Sequence, residues 1–114
     1  MAIFSSYQNF FGTYLGHYDG RNARLVIGDA KADSEWPQFR IEFIELDRNQ
    51  VFIGTHTEKG KVGHIIHDIT LKKRGGNGTV TWRELFLHTG DTNYISGISI
   101  WNGIEFGMCF SRIQ

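Results

Sequence analysis

Apolar and polar residues alternate along most of this chain, and the alternation has a period of two. Ile104, Phe106, Met108 and Phe110 fall on one side of an extended run. Phe39, Ile41 and Phe43 repeat the pattern against Arg40 and Glu42. Successive strand residues point to opposite faces, so this spacing predicts strands buried on one side. Helix-period patterns are scarce. Eight strands are predicted, at 10–18, 22–29, 36–46, 50–57, 62–73, 78–88, 93–101 and 103–112.

The links between them carry turn residues: Asp19-Gly20, Asp47-Arg48-Asn49, Glu58-Lys59-Gly60, Gly75-Gly76-Asn77-Gly78, Thr89-Gly90-Asp91 and Asn102-Gly103. Asn-Gly is the strongest hairpin signal, because a two-residue turn needs positive φ at both positions. Short links force sequence neighbours to pair antiparallel. An open meander leaves two unpaired edges, and closure removes them. The predicted fold is therefore all-β: an eight-stranded antiparallel up-and-down β-barrel, one domain over 1–114, with the last strand pairing the first. The longest link, 29–36, is expected to bulge outward.

Two strands break the alternation. In the third, Ile44 and Leu46 change phase after Phe43, which predicts a bulge near Phe43. The sixth, TVTWRELFLH, is mixed on both faces. An outer wall with apolar residues predicts a homo-oligomer.

Composition narrows the function. Fourteen glycines against one proline, with nine Phe, four Tyr and three Trp, suit short strands and tight turns. Twelve basic and twelve acidic residues cancel, which argues against a nucleic-acid or membrane partner recruited by bulk charge. Residues 1–9 do not read as a signal peptide, and no run is long enough to span a bilayer. A single cysteine, Cys109, excludes an internal disulfide, and a cytoplasmic location is expected.

Gly12-Thr13-Tyr14 opens the first strand and Phe110-Ser111-Arg112 closes the last. This pairing resembles the calycin barrels, and among them the avidin-like family. Those barrels carry a Gly-x-aromatic in strand one and an arginine or lysine near the end of the last strand. The resemblance implies that Arg112 lies across the Tyr14 ring and closes one end. Gly54-Thr55-His56 stands roughly where avidins have Gly-Thr-Tyr. The positions that hold biotin in avidins read Gly16 and about Gly20, so biotin binding is not implied.

His67 is the sharpest candidate for chemistry. In HIIHDITL it shares a predicted face with Ile65, Ile69 and Leu71, and if that face points inward a histidine sits inside the barrel. It would bond a ligand, act as an acid or base, or be a satisfied core histidine. His64 and His67 are three apart on a strand and so point to opposite faces, which argues against a metal site. Glu42, Glu45, Asp68 and Glu105 are expected to face solvent. Asp91 and Asn93 are expected to do turn chemistry, or to hold a small polar ligand beside Tyr94 and Trp101. No cofactor is expected.

Three functions stay open. The first is a small-molecule-binding protein with a partly apolar ligand in the barrel cavity, walled by Tyr14, His56, His67, Trp82, Tyr94 and Trp101. The second is an enzyme using His67 in the same cavity. The third is a carbohydrate-binding or interaction module that uses loop tips and the outer wall over a solid interior. Interior polar groups favour the first two, and rim aromatics over a filled interior favour the third.

Overall fold

The computed structural model describes residues 7–29, 36–60 and 62–114. Eight antiparallel strands form a closed barrel, each paired with its neighbours in sequence and the last with the first. They are β1 (Gly12–Tyr18), β2 (Arg21–Asp29), β3 (Gln38–Glu45), β4 (Gln50–Thr57), β5 (Ile65–Lys73), β6 (Thr79–Leu87), β7 (Tyr94–Trp101) and β8 (Ile104–Arg112). Every expected strand is present. The 29–36 link falls largely outside the described residues. No helix among the described residues is long and apolar enough to cross a membrane.

Local chemistry sets the hairpins. Asn102 and Gly103 have φ of 50° and 76°, and Asp19 and Gly20 have 50° and 78°. Positive φ at both central residues gives a turn whose twist matches the strands it joins. The β1–β2, β3–β4, β5–β6 and β7–β8 hairpins ring one end, the mouth.

The inner face is filled. Leu25, Ile41, Ile66, Ile69, Leu85 and Ile95 are fully buried, and burial of each such side chain is worth about 1.5–3 kcal/mol. Toward the mouth Phe43 meets Tyr18 at 4.8 Å, Trp82 at 5.3 Å and Phe110 at 6.4 Å between ring centroids. At the other end a single turn of 3₁₀ helix, Gln8–Phe10, crosses the opening. Its Phe10, with the preceding Tyr7, packs edge-on against Phe39. The predicted first strand begins at Phe10, but this residue belongs to the plug instead.

Arg112 locks that plug as expected. Its guanidinium lies 4.7 Å from the centroid of the Tyr14 ring. It also donates to the carbonyls of Phe11 (2.6 Å), Asn9 (2.5 Å) and Thr92 (3.0 Å). A planar fork suits several acceptors at once, which a lysine would not match. The Tyr14 hydroxyl donates to the Phe10 carbonyl at 2.8 Å. Burial pushes the Tyr14 phenol up to about 12 against the opposing pull of Arg112.

Two phase expectations are corrected. β3 has no bulge: its register with β2 and β4 is unbroken through Phe43. Alternation simply continues, so Ile44 faces outward and Glu45 inward, where it is 4% exposed. The irregularity lies in β5 and β6. Inward residues run Ile66, then Ile69 and Leu71, while β6 runs Trp82, then Leu85 and Leu87. Asp68 adopts φ 55°, and the β6–β7 register shifts between Trp82 and Glu84. Both strands change phase together, so their mutual register survives.

The ladders differ in extent. β3–β4 pairs eight residues and β1–β8 pairs five, whereas β4–β5 pairs only Phe52 with Lys73 and Ile53 with Lys72 among the described residues.

Candidate functional site

A cleft of about 270 Å³ opens at the mouth. Tyr18, Asp19 and Arg21 line it from the β1–β2 hairpin, and Glu45, Arg48 and Gln50 from the β3–β4 hairpin. Phe52, Thr79, Val80, Trp101 and Phe106 complete the wall. Strand order places Glu45, Arg48 and Gln50 across the mouth from Trp101 and Phe106. Phe43 and Trp82 are fully buried and do not line it, so the cleft stops short of the barrel core.

Its electrostatic centre is Glu45. Continued alternation in β3 brings this carboxylate inward at the last strand position. Arg21 Nε donates to Glu45 Oε1 at 2.6 Å, and Arg48 Nε lies 3.5 Å from the same oxygen. The Arg21 guanidinium also sits 5.7 Å from the centroid of the Tyr18 ring and 3.9 Å from Asp19. Taking a carboxylate out of water costs free energy, which such partners offset. Tyr18 shares a 3.1 Å hydrogen bond with Ser99, and burial raises its phenol pKa. Ser99 in turn donates to the Thr81 carbonyl at 3.3 Å. The indole Nε1 of Trp82, one inward position below Val80, has no hydrogen-bond partner among the described residues.

The six residues predicted to wall an internal cavity do not converge. Tyr14 belongs to the closed end, bonded to Phe10 and covered by Arg112. Trp82 is core, fully buried among aromatics. Tyr94 is exposed near the closed end, and Trp101 is exposed at the mouth. His67 is outside the barrel, with its side chain 42% exposed. The phase change at Asp68 puts Ile66 inward in its place. The His67 acid or base of an internal cavity is thereby withdrawn.

His67 and His56 are nonetheless brought together, by a glutamate that no sequence pattern singles out. Glu58 is 3% exposed and spans the thin β4–β5 ladder. Its Oε1 accepts from His56 Nε2 (2.8 Å) and the His67 amide (2.8 Å). Its Oε2 accepts from the Gly60 amide (2.9 Å) and His67 Nδ1 (3.1 Å). An ionised carboxylate only accepts, so the rings carry their protons on those nitrogens. Burial pushes the Glu58 pKa up, but the bonds from His56, His67 and Gly60 outweigh it and hold the group at about 2. A carboxylate so fully engaged is no base at neutral pH; it fastens two strands.

The remaining candidates fall into place locally. Asn93 donates its amide to Asp91 Oδ1 at 3.0 Å, which is turn chemistry. His88 Nε2 and Ser96 Oγ lie 2.8 Å apart on exposed ground. No carboxylate hydrogen-bonds this His88 among the described residues, so the pair lacks the third member that orients a catalytic histidine. A second cleft, of about 230 Å³, at the closed end joins Asn9, His64 and Thr92 without an aromatic platform or an ion pair. No group of three or more His, Cys, Asp or Glu residues suited to a metal ion occurs among the described residues.

Glu45 was missed because Ile44 beside it looked like the inward residue. The signal available was the unbroken Phe39, Ile41, Phe43 alternation, which continues to position 45. Comparison with known proteins finds no matching family model, no similar curated protein and no similar solved structure, so the mouth cleft stands on its own geometry.

Proposed function

We propose that the chain is a small-ligand-binding protein whose site is the barrel mouth rather than the barrel interior. The observation that carries this reading is the pairing of a buried Glu45–arginine cluster with exposed Trp101 across one concave opening. Binding sites combine an apolar surface with a few convergent polar groups, and the mouth has both. The filled core beneath it excludes a long apolar ligand such as a fatty acid. Charge balance at the rim, with Arg21 and Arg48 against Asp19 and Glu45, provides no field for selecting a strongly charged one.

A small-compound library screened by ¹⁵N amide shifts of the full chain tests this. Hits should move the amides of Asp19–Arg21, Glu45–Gln50 and Trp101–Phe106. Hits that move only outer-wall amides, or a screen without any hit, would overturn the assignment.

A further inference from the structure

We propose that the mouth cleft takes a neutral sugar residue, with its C–H face on Trp101 and its hydroxyls shared between the Glu45 carboxylate and the neighbouring arginines. This rests on the mouth being the binding site, and it names the ligand class from the cleft's own chemistry.

Four features lead there. The first is Trp101, 64% exposed at the rim of a concave opening. A large ring left in water offers a flat apolar face to a partner. The second is the opposite wall. It sets acceptors (Glu45, Asp19) beside donors (Arg21, Arg48, Gln50). A hydroxyl is both donor and acceptor, so a ring bearing adjacent hydroxyls satisfies such mixed neighbours together. A carboxylate or phosphate ligand would use only the arginines and be repelled by the two carboxylates. A plain aromatic would use none of these donors and acceptors.

The third feature is the arrangement at Glu45. Both arginine contacts fall on Oε1, and Oε2 makes neither. The Arg21 bond fixes the orientation of the carboxylate at the edge of the cleft that Glu45 lines. Charged hydrogen bonds of this kind are stronger than neutral ones. The fourth is size. About 270 Å³ outside the barrel core fits one small ring, and the open rim lets the rest of a chain leave into solvent. The expected ligand is therefore a terminal sugar.

The test uses the full chain on a glycan array, followed by amide-shift titrations. Probes are glucose, galactose, mannose and N-acetylglucosamine, with glucose 6-phosphate, sialic acid and adenine as contrasts. Neutral sugars should give saturable shifts at the mouth. Trp101→Ala should weaken them about tenfold, the equivalent of about 1.4 kcal/mol. Trp101 is exposed, so this variant should keep the wild-type melting temperature, and Trp101→Phe should recover part of the affinity. Mouth shifts from the charged probes or from adenine, with none from neutral sugars or the array, would overturn the ligand class and leave the site standing. Absence of mouth shifts from every probe and of array binding would overturn both.

Discussion

Single residues decide the chemistry here, and two glutamates show how. Glu58 and Glu45 are both buried acids, but Glu58 has both oxygens filled by four donors, whereas only one Glu45 oxygen meets the arginines. The first fastens two strands and the second lines the mouth cleft. Glu58 falls from an ordinary 4.5 to about 2, so it binds its proton more weakly folded than unfolded. Its contribution to stability is complete above about pH 4.5 and is lost as the pH falls toward 2. Urea unfolding across that range should show a decline of up to about 3 kcal/mol from this group. Glu58→Gln should lower stability at neutral pH and flatten the acid limb; an unchanged limb would deny Glu58 the role. Glu45 was legible only as the next step of the Phe39, Ile41, Phe43 alternation, and Glu58 was not legible at all. Glu58 sat in an ordinary turn, and its donors come from residues up to nine positions away and across a strand gap.

At the level of elements, the sequence was readable wherever turn chemistry and alternation agreed. Asp19-Gly20 and Asn102-Gly103 mark hairpins because few residues accept positive φ. Strands β1 to β8 follow, as does barrel closure. What failed was phase. HIIHDITL has apolar residues at odd and even positions, so alternation cannot say whether Ile66 or His67 is inside. The answer depends on Asp68 at φ 55°. Asp68→Gly should leave stability nearly unchanged. Asp68→Val should cost about 1–2 kcal/mol in a thermal or urea melt, although valine favours strands, because a branched residue resists left-handed backbone. A stabilised Val variant would mean a regular strand. The plug was illegible for a related reason: Tyr7 and Phe10 are spaced as in a helical turn, but a single turn has no periodicity to detect.

For the molecule as a whole, the outer wall bears on assembly. Leu15 and Tyr94 are exposed and flank Ser111 on the strands either side of it, with Ile113 exposed nearby. Formal net charge is zero, so no long-range repulsion keeps copies apart. Self-association is the expected outcome; light scattering should give a mass that is a multiple of 13.1 kDa, and Leu15→Glu should reduce it. A monomer at micromolar concentration would refute it. The thin β4–β5 ladder has a wider consequence. It divides the ring into two four-stranded halves, β1–β4 and β5–β8, joined twice. Among the described residues, one join links strands close in sequence through two residue pairs, the Arg74 amide on the Val51 carbonyl and Glu58, and the other links the most distant strands through five pairs. Strain on the ring is therefore released first where the chain is continuous. The expected response to such strain is a parting of the halves about the β1–β8 ladder, which hydrogen exchange would show as earliest loss of protection along β4 and β5.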